Sequence, residues 1–157
     1  MTKMAKEKLL GWFCRKILDK NINLDSFNEK LIIQKAVYLG KQMGMNFNYD
    51  YGWWVRGVYS SKLTVDLYNM KEEQDYDFNC GDEKITEKLS EIAGAFENPV
   101  RAFELVSTVV YAQVHKGIRE NDRLYDFITS VKPWFSDEEI RTGIELVGEL
   151  NKEFIGS

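Results

Sequence analysis

The chain has 157 residues, of which 44% are apolar and 13% aromatic, and its formal net charge is −4. This length suits one domain that buries about two-thirds of its unfolded surface, and the apolar content excludes a disordered chain. Two cysteines, Cys14 and Cys80, are too few for a disulfide framework, and no window is apolar over the ~18 residues that a membrane span needs. We therefore expect a single domain, 1–157, in the cytoplasm.

The charge is distributed unevenly along the chain. Residues 1–45 hold nine Lys and Arg against four Asp and Glu, whereas residues 46–157 hold twelve against twenty-one. A basic end on an acidic body can attract a polyanion. A DNA-binding transcriptional regulator that uses the basic N-terminal region is therefore the alternative function that the sequence leaves open.

The first two predicted elements are helices. Apolar residues recur at helical spacing between Met4 and Leu18. After a break at residues 21–25, Ser26 and Glu29 have the spacing of a capping box. The helix that follows, to about Met43, is apolar on nearly all sides, which predicts burial against several neighbours.

The next segment changes from helical to alternating periodicity. Aromatic and polar residues alternate over 47–55, which is typical of a half-buried strand, and Arg56-Gly57 is predicted to end it. A second short strand over 75–80 could pair with it, because a lone strand leaves its backbone groups unpaired. Ser60 or Ser61 is then placed to cap a helix.

Helices are predicted again from residue 82 onward. Asp82 is positioned to cap the first of them, and Asn98-Pro99 is a start signal with proline at the first helical position. The helix behind Pro99 is the second that is almost entirely apolar, and Gly117 ends it.

Two further helices complete the chain. One covers 124–131 and ends before Pro133; the other begins with a capping box formed by Ser136 and Glu139. The sequence thus predicts a mainly α fold: a compact helical domain with two buried central helices and a small β element.

Metal chemistry finds little support in the sequence. One histidine and two cysteines 66 positions apart do not make a structural zinc site. The run Asp75-x-Asp77-x-Asn79 resembles the start of a calcium-binding loop, but Gly81 falls at position seven and Thr86 stands where the bidentate glutamate belongs. We predict neither metal nor cofactor.

Catalytic groups are also scarce. A Ser-His or Cys-His pair would have to use His115, which we expect instead to cap carbonyl groups at the end of its helix. The chain has no phosphate-binding loop. Glu29 and Glu104, which lie inside apolar stretches, are expected to act as a cap and as one half of a partly buried ion pair. The sequence therefore predicts a chain that is not an enzyme.

Aromatic residues crowd into eleven positions around Arg56: Tyr49, Tyr51, Trp53, Trp54 and Tyr59. Trp, Tyr and Arg dominate the energetics of protein interfaces, although a strand's inner face would use Tyr49, Tyr51 and Trp53 as core. Trp54 and Arg56 fall on the opposite face by alternation. They are the better candidates for a functional surface.

Residues 31–68 resemble a known family. Leu31-x-x-Gln34-Lys35-x-x-Tyr38-Leu39 is similar to the signature of Panacea-type (SocA-like, also called GepA-like) and YwgA-like proteins. Those proteins continue with an aromatic segment, a Gly-Pro-Tyr/Val-Ser turn and a helix. Here Arg56-Gly57-Val58-Tyr59-Ser60 occupies the turn, with Val58 in the place of the proline, and residues 132–136 resemble the tail of YwgA-like proteins.

The resemblance implies a helical domain that acts by direct contact with a protein partner. Panacea domains occur as antitoxins that neutralise a toxin, and some YwgA-like proteins have a suspected regulatory role. We predict an antitoxin-like or regulatory adaptor whose partner surface is formed by Lys35, Trp54, Arg56 and Tyr59. Motif residues with a structural role are Gln34, Tyr38, Gly57 and Ser60. Gln34 is expected either to hydrogen bond with Tyr38, one turn away, or to fix the Gly57 turn onto its helix.

Overall fold

Seven α-helices and one hairpin make up the part of the chain that the computed structural model describes, residues 2–70 and 81–156. In chain order the elements are α1 (Lys3–Leu18), α2 (Phe27–Gln42), β1 (Gly52–Trp54), β2 (Gly57–Tyr59), α3 (Ser61–Asn69), α4 (Glu83–Ala93), α5 (Pro99–Lys116), α6 (Asn121–Val131) and α7 (Asp137–Leu150). A π-helical turn, Asn151–Ile155, continues from α7. The predicted mainly α class with a small β element is confirmed.

Most helices begin where side chains satisfy the free N–H groups of the first turn. Ser60 caps α3, Asn98 caps α5 with Pro99 behind it, and Ser136 and Glu139 form the predicted capping box of α7.

The predicted capping box of α2 is only half formed. Ser26 Oγ accepts from the Glu29 N–H, but the Glu29 carboxylate accepts from the N–H of Asn23 instead of that of Ser26. Asp82 occupies the N-cap position of α4, as predicted, but its side chain makes no capping bond there.

The two predicted central helices are α2 and α5. Eight consecutive residues of α2, 33–40, are buried, and α5 buries ten residues between Ala102 and Gln113. The two helices pack against each other more extensively than any other pair of described elements, with α1 and α4 beside α2 and with α4, α6 and α7 around α5. A helix buried on several sides needs apolar residues around its circumference, which explains why both sequences lack a polar stripe.

The predicted strand over 47–55 is largely wrong. Only Gly52–Trp54 is a strand, and its antiparallel partner is Gly57–Tyr59, with Trp53 opposite Val58 and Trp54 opposite Gly57. Burial does alternate from Phe47 to Tyr51, but the alternation stops where β1 begins. Arg56-Gly57 is therefore part of a hairpin turn and does not end the sheet.

Some predictions fall on residues outside the described ranges. These are the short strand over 75–80, the calcium-loop residues Asp75, Asp77 and Asn79, and Cys80. Within the ranges, Cys14 is a buried free thiol, and no helix has the length and apolar character needed to cross a membrane.

Candidate functional site

The candidate site is the β1–β2 hairpin together with the helix that carries it. A two-residue tip, Val55-Arg56, joins the strands, and Gly57 follows it with φ of 96°. Val55 and Arg56 keep negative φ, so the turn has the form in which a glycine in the left-handed region closes the hairpin. A side chain at position 57 would be strained in this conformation, which explains the glycine that the motif places there.

Gln34 fastens the hairpin to α2. Its Oε1 accepts from the N–H of Ser60 at 2.9 Å, and its Nε2 donates to the Ser60 carbonyl at 2.9 Å and to Thr64 Oγ1 at 2.9 Å. Gln34 is buried, and these three bonds satisfy most of what its amide can make. The prediction that Gln34 fixes the turn onto its helix is confirmed.

Tyr38 does not share a hydrogen bond with Gln34, contrary to the alternative that we considered. The Tyr38 ring packs edge-on against that of Tyr51, with centroids 5.0 Å apart. Neither hydroxyl has a hydrogen-bond partner among the described residues, although both are buried. The amide of Gln34 is already engaged by Ser60 and Thr64, which leaves it turned away from the tyrosine.

Lys35 lies beneath the hairpin and not on its surface, which corrects the prediction that a partner contacts it. The residue is only 2% exposed, and its Nζ donates to the carbonyls of Arg56 at 2.6 Å and Val58 at 3.4 Å. Burial lowers the pKa of Lys35 to about 8, with smaller contributions from the neighbouring charges. The Lys35 side chain thus links α2 to the backbone at both ends of the turn.

A second buried lysine, which the sequence analysis missed, lies beside the first. Lys132 is 2% exposed, and its Nζ is 3.1 Å from Glu104 Oε2. The ammonium group also lies 5.4 Å from the ring of Trp53 and 5.3 Å from that of Trp134, close enough for cation–π attraction. Glu104 is therefore half of a partly buried pair, as predicted, but Lys132-Pro133 had been interpreted only as a helix stop.

The hairpin and the start of α2 carry several exposed side chains, with Tyr59 half-buried beside them. Trp54 is 57% exposed, Val55 93% and Phe27 53%. Arg56 stacks over Phe27, with its guanidinium carbon 5.2 Å from the ring centroid, and Trp54 packs edge-on against Tyr59 at 5.6 Å. We call Phe27, Trp54, Val55, Arg56 and Tyr59 the hairpin surface. Three of the four residues predicted for the partner surface lie in it, and Phe27 is an addition from the start of α2.

A scan against models of protein families finds no match to this chain, and a search of curated proteins finds none either. The likeness of residues 31–68 to Panacea-type and YwgA-like proteins therefore stays a resemblance of short motifs. The structure nevertheless shows what the motif residues do here: Gln34 and Lys35 both bind the backbone of the 56–60 turn, and Ser60 begins α3.

The histidine and the cysteine in the described part of the chain, His115 and Cys14, pack against other side chains. We predicted that His115 caps carbonyl groups at the end of α5, and this prediction was wrong. Its ring stacks instead on that of Tyr111, with centroids 4.6 Å apart. Burial raises the pKa of the Cys14 thiol, which suppresses the reactive thiolate. No cluster of three or more metal-ligating side chains occurs within these ranges.

A cleft of about 410 Å³ lies between α1, residues 46–49 and α3. Its lining includes the carboxylates of Glu7 and Asp66. Asp66 accepts from the Tyr49 hydroxyl at 2.8 Å and pairs with Lys62 at 3.1 Å. These contacts hold the 46–49 segment against α3, which gives Asp66 a structural role.

Proposed function

We propose that this chain is a protein-binding module, an antitoxin-like or regulatory adaptor of the cytoplasm, which acts by direct contact with a partner protein and without catalysis. The observation that carries the proposal is the hairpin surface. It presents exposed Trp54, Val55 and Phe27 with a stacked arginine on a turn that α2 holds in place.

The composition of this surface supports a protein partner. Interface hot spots are enriched in Trp, Tyr and Arg and lie near the centre of the contact. Leaving three large apolar side chains in water is unfavourable, and covering each one contributes on the order of 1.5–3 kcal/mol. A contact centred on Trp54 would therefore supply a large share of the affinity of a typical complex.

The rigidity of the hairpin supports the same function. The turn is tied to α2 through Gln34 and Lys35, with donor–acceptor distances of 2.6–2.9 Å for its shortest bonds. A surface that is ordered before binding loses less conformational entropy on association.

The test is capture of partners by the tagged chain from its native lysate after nuclease treatment, read by mass spectrometry. We expect one protein at stoichiometric amount that persists at high salt and is lost when Trp54→Ala and Arg56→Ala are combined. We expect the midpoint of thermal unfolding of the double variant, followed by circular dichroism, to stay close to that of the wild type, because both side chains are exposed. Arg141→Ala is the matched control, since Arg141 also stacks 5.2 Å from a ring, that of Tyr125.

Two results would count against the proposal. A partner retained by the double variant would show that another surface is used. Binding that requires intact nucleic acid and falls steeply with salt would favour the DNA-binding regulator that uses the basic N-terminal region.

A further inference from the structure

The charges beneath the hairpin are not balanced. The groups whose charges act on Lys35 are Lys132, Arg56 and Glu104. Together with Lys35 these are three cations and one carboxylate, so the cluster carries a formal charge of +2 when all are ionised. The whole chain, by contrast, has a formal charge of −4.

The one carboxylate of the cluster is already paired. Glu104 lies 3.1 Å from Lys132. Among the residues that the structure describes, neither Lys35 nor Arg56 has a carboxylate within 4 Å. Lys35 is held by two backbone carbonyls, and Arg56 by the face of Phe27.

Because two of these cations are buried, their electric field reaches the hairpin tip with little screening by water. Lys35 and Lys132 are each 2% exposed, so solvent screens them less than it would screen surface charges. Their positive potential extends to the hairpin tip, where the guanidinium of Arg56 is accessible. A carboxylate that approaches Arg56 gains a charge-assisted, bidentate bond and is attracted by the ammonium group of Lys35, which Glu104 does not pair with because it is bonded to Lys132.

We infer that the segment which docks on the hairpin surface is an acidic peptide segment of the partner protein. It places a carboxylate on Arg56 and apolar side chains over Trp54 and Val55. This inference rests on the proposed function and adds the chemistry of the partner. A nucleic acid fits less well, because phosphate backbones are bound by extended basic tracks, and this cluster is a single compact spot on an acidic chain.

The first experiment selects phage-displayed random dodecapeptides on the immobilised chain, with the Trp54→Ala variant for counter-selection. We expect the enriched peptides to be acidic and to contain large apolar residues. Enrichment of neutral or basic peptides would overturn the inference, as would the absence of any enrichment over the Trp54→Ala variant.

The second experiment measures binding of one enriched peptide by fluorescence anisotropy. The peptide and a version with Gln and Asn in place of Glu and Asp are each titrated with the wild type and with Arg56→Gln. We expect about a tenfold weaker affinity when either change is made alone and little further loss when both are made, which is the signature of a direct pair. Equal affinity of the acidic peptide for wild type and Arg56→Gln would refute the pairing. A fluorescent oligodeoxythymidine that binds the wild type more tightly than the acidic peptide, and depends on Arg56, would make the surface a nucleic-acid site.

The failure of this inference is distinguishable from that of the proposed function. If the lysate partner is lost from Trp54→Ala but binds Arg56→Gln as well as it binds the wild type, the adaptor function stands and the acidic partner does not. If no lysate protein depends on Trp54, the proposed function fails whatever the peptides show.

Discussion

Gln34 binds both backbone groups of Ser60, accepting from its N–H and donating to its carbonyl, each at 2.9 Å. The two residues are 26 positions apart, and the pair joins α2 to the end of the hairpin. A buried amide that bonds both the N–H and the carbonyl of one residue fixes the position and the orientation of the backbone there.

Replacing Gln34 by methionine keeps the volume and removes the bonds. We expect the free energy of unfolding to fall by about 2 kcal/mol or more, because the buried Ser60 N–H is left without a partner. Chemical denaturation measures the loss, and amide hydrogen exchange at Ser60 should accelerate. Gln113→Met is the control, since the side chain of Gln113 makes one bond within the described residues, accepting from Asn151. An equal loss of stability in the two variants would contradict the special role of Gln34.

Because the pKa of Lys35 is lowered by burial, we expect the stability of the fold to depend on pH in the alkaline range. Its pKa is about 8 in the folded chain against 10.5 for an ordinary lysine, so the unfolded chain binds more protons between these values. Stability from this group therefore rises with pH through that window, because the cost of burying the charge disappears as Lys35 loses its proton.

The measurement compares the wild type with Lys35→Met. We expect the free energy of unfolding of the wild type to rise relative to the variant by about 2 kcal/mol between pH 7 and pH 9.5. Lys62→Met, which removes an exposed lysine, provides the baseline. A difference between wild type and Lys35→Met that does not change with pH would show that Lys35 keeps an ordinary pKa.

Two glycines of α7 should respond in opposite directions to substitution by alanine. A Cβ on Gly143 would lie 2.9 Å from Leu105 Cγ and Cδ2, whereas one on Gly148 would meet nothing within 4 Å. We expect Gly143→Ala to destabilise the fold by about 1–3 kcal/mol through overpacking against α5, and Gly148→Ala to stabilise it by up to about 1 kcal/mol through helix propensity. Thermal unfolding of the two variants tests this prediction. If both substitutions lower the unfolding temperature, the free space beside Gly148 does not accept a methyl group and the prediction is wrong.

Local chemistry was enough to predict the helices. The caps at Ser60, Asn98 and Ser136 depend on neighbours three or fewer residues away, and the two central helices are apolar on nearly all sides. Both signals are written in short stretches of sequence. The prediction failed at the hairpin, because alternating burial over 47–51 has the same appearance in a strand as in an extended segment that packs without pairing.

The candidate site could be predicted only in part. Trp54 and Arg56 are exposed as predicted, but Trp53 and Val55 are exposed too, so the alternation on which that prediction depended does not hold in the hairpin. A structural role for Gln34 followed from its polarity in an apolar helix. Lys35, a polar residue of the same motif, was predicted to lie on the partner surface, but it is buried. Its burial depends on carbonyls supplied by the turn at residues 56–58.

By itself the sequence determined which segments are helical and which two helices are central, since these properties arise from interactions between near neighbours. Only the tertiary structure decided the rest. It pairs β1 with β2, adds Phe27 to the hairpin surface and brings Lys35, Lys132 and Glu104 together from three different parts of the chain. The physical reason is that charge balance and burial are set by contacts between distant residues, which no local pattern records.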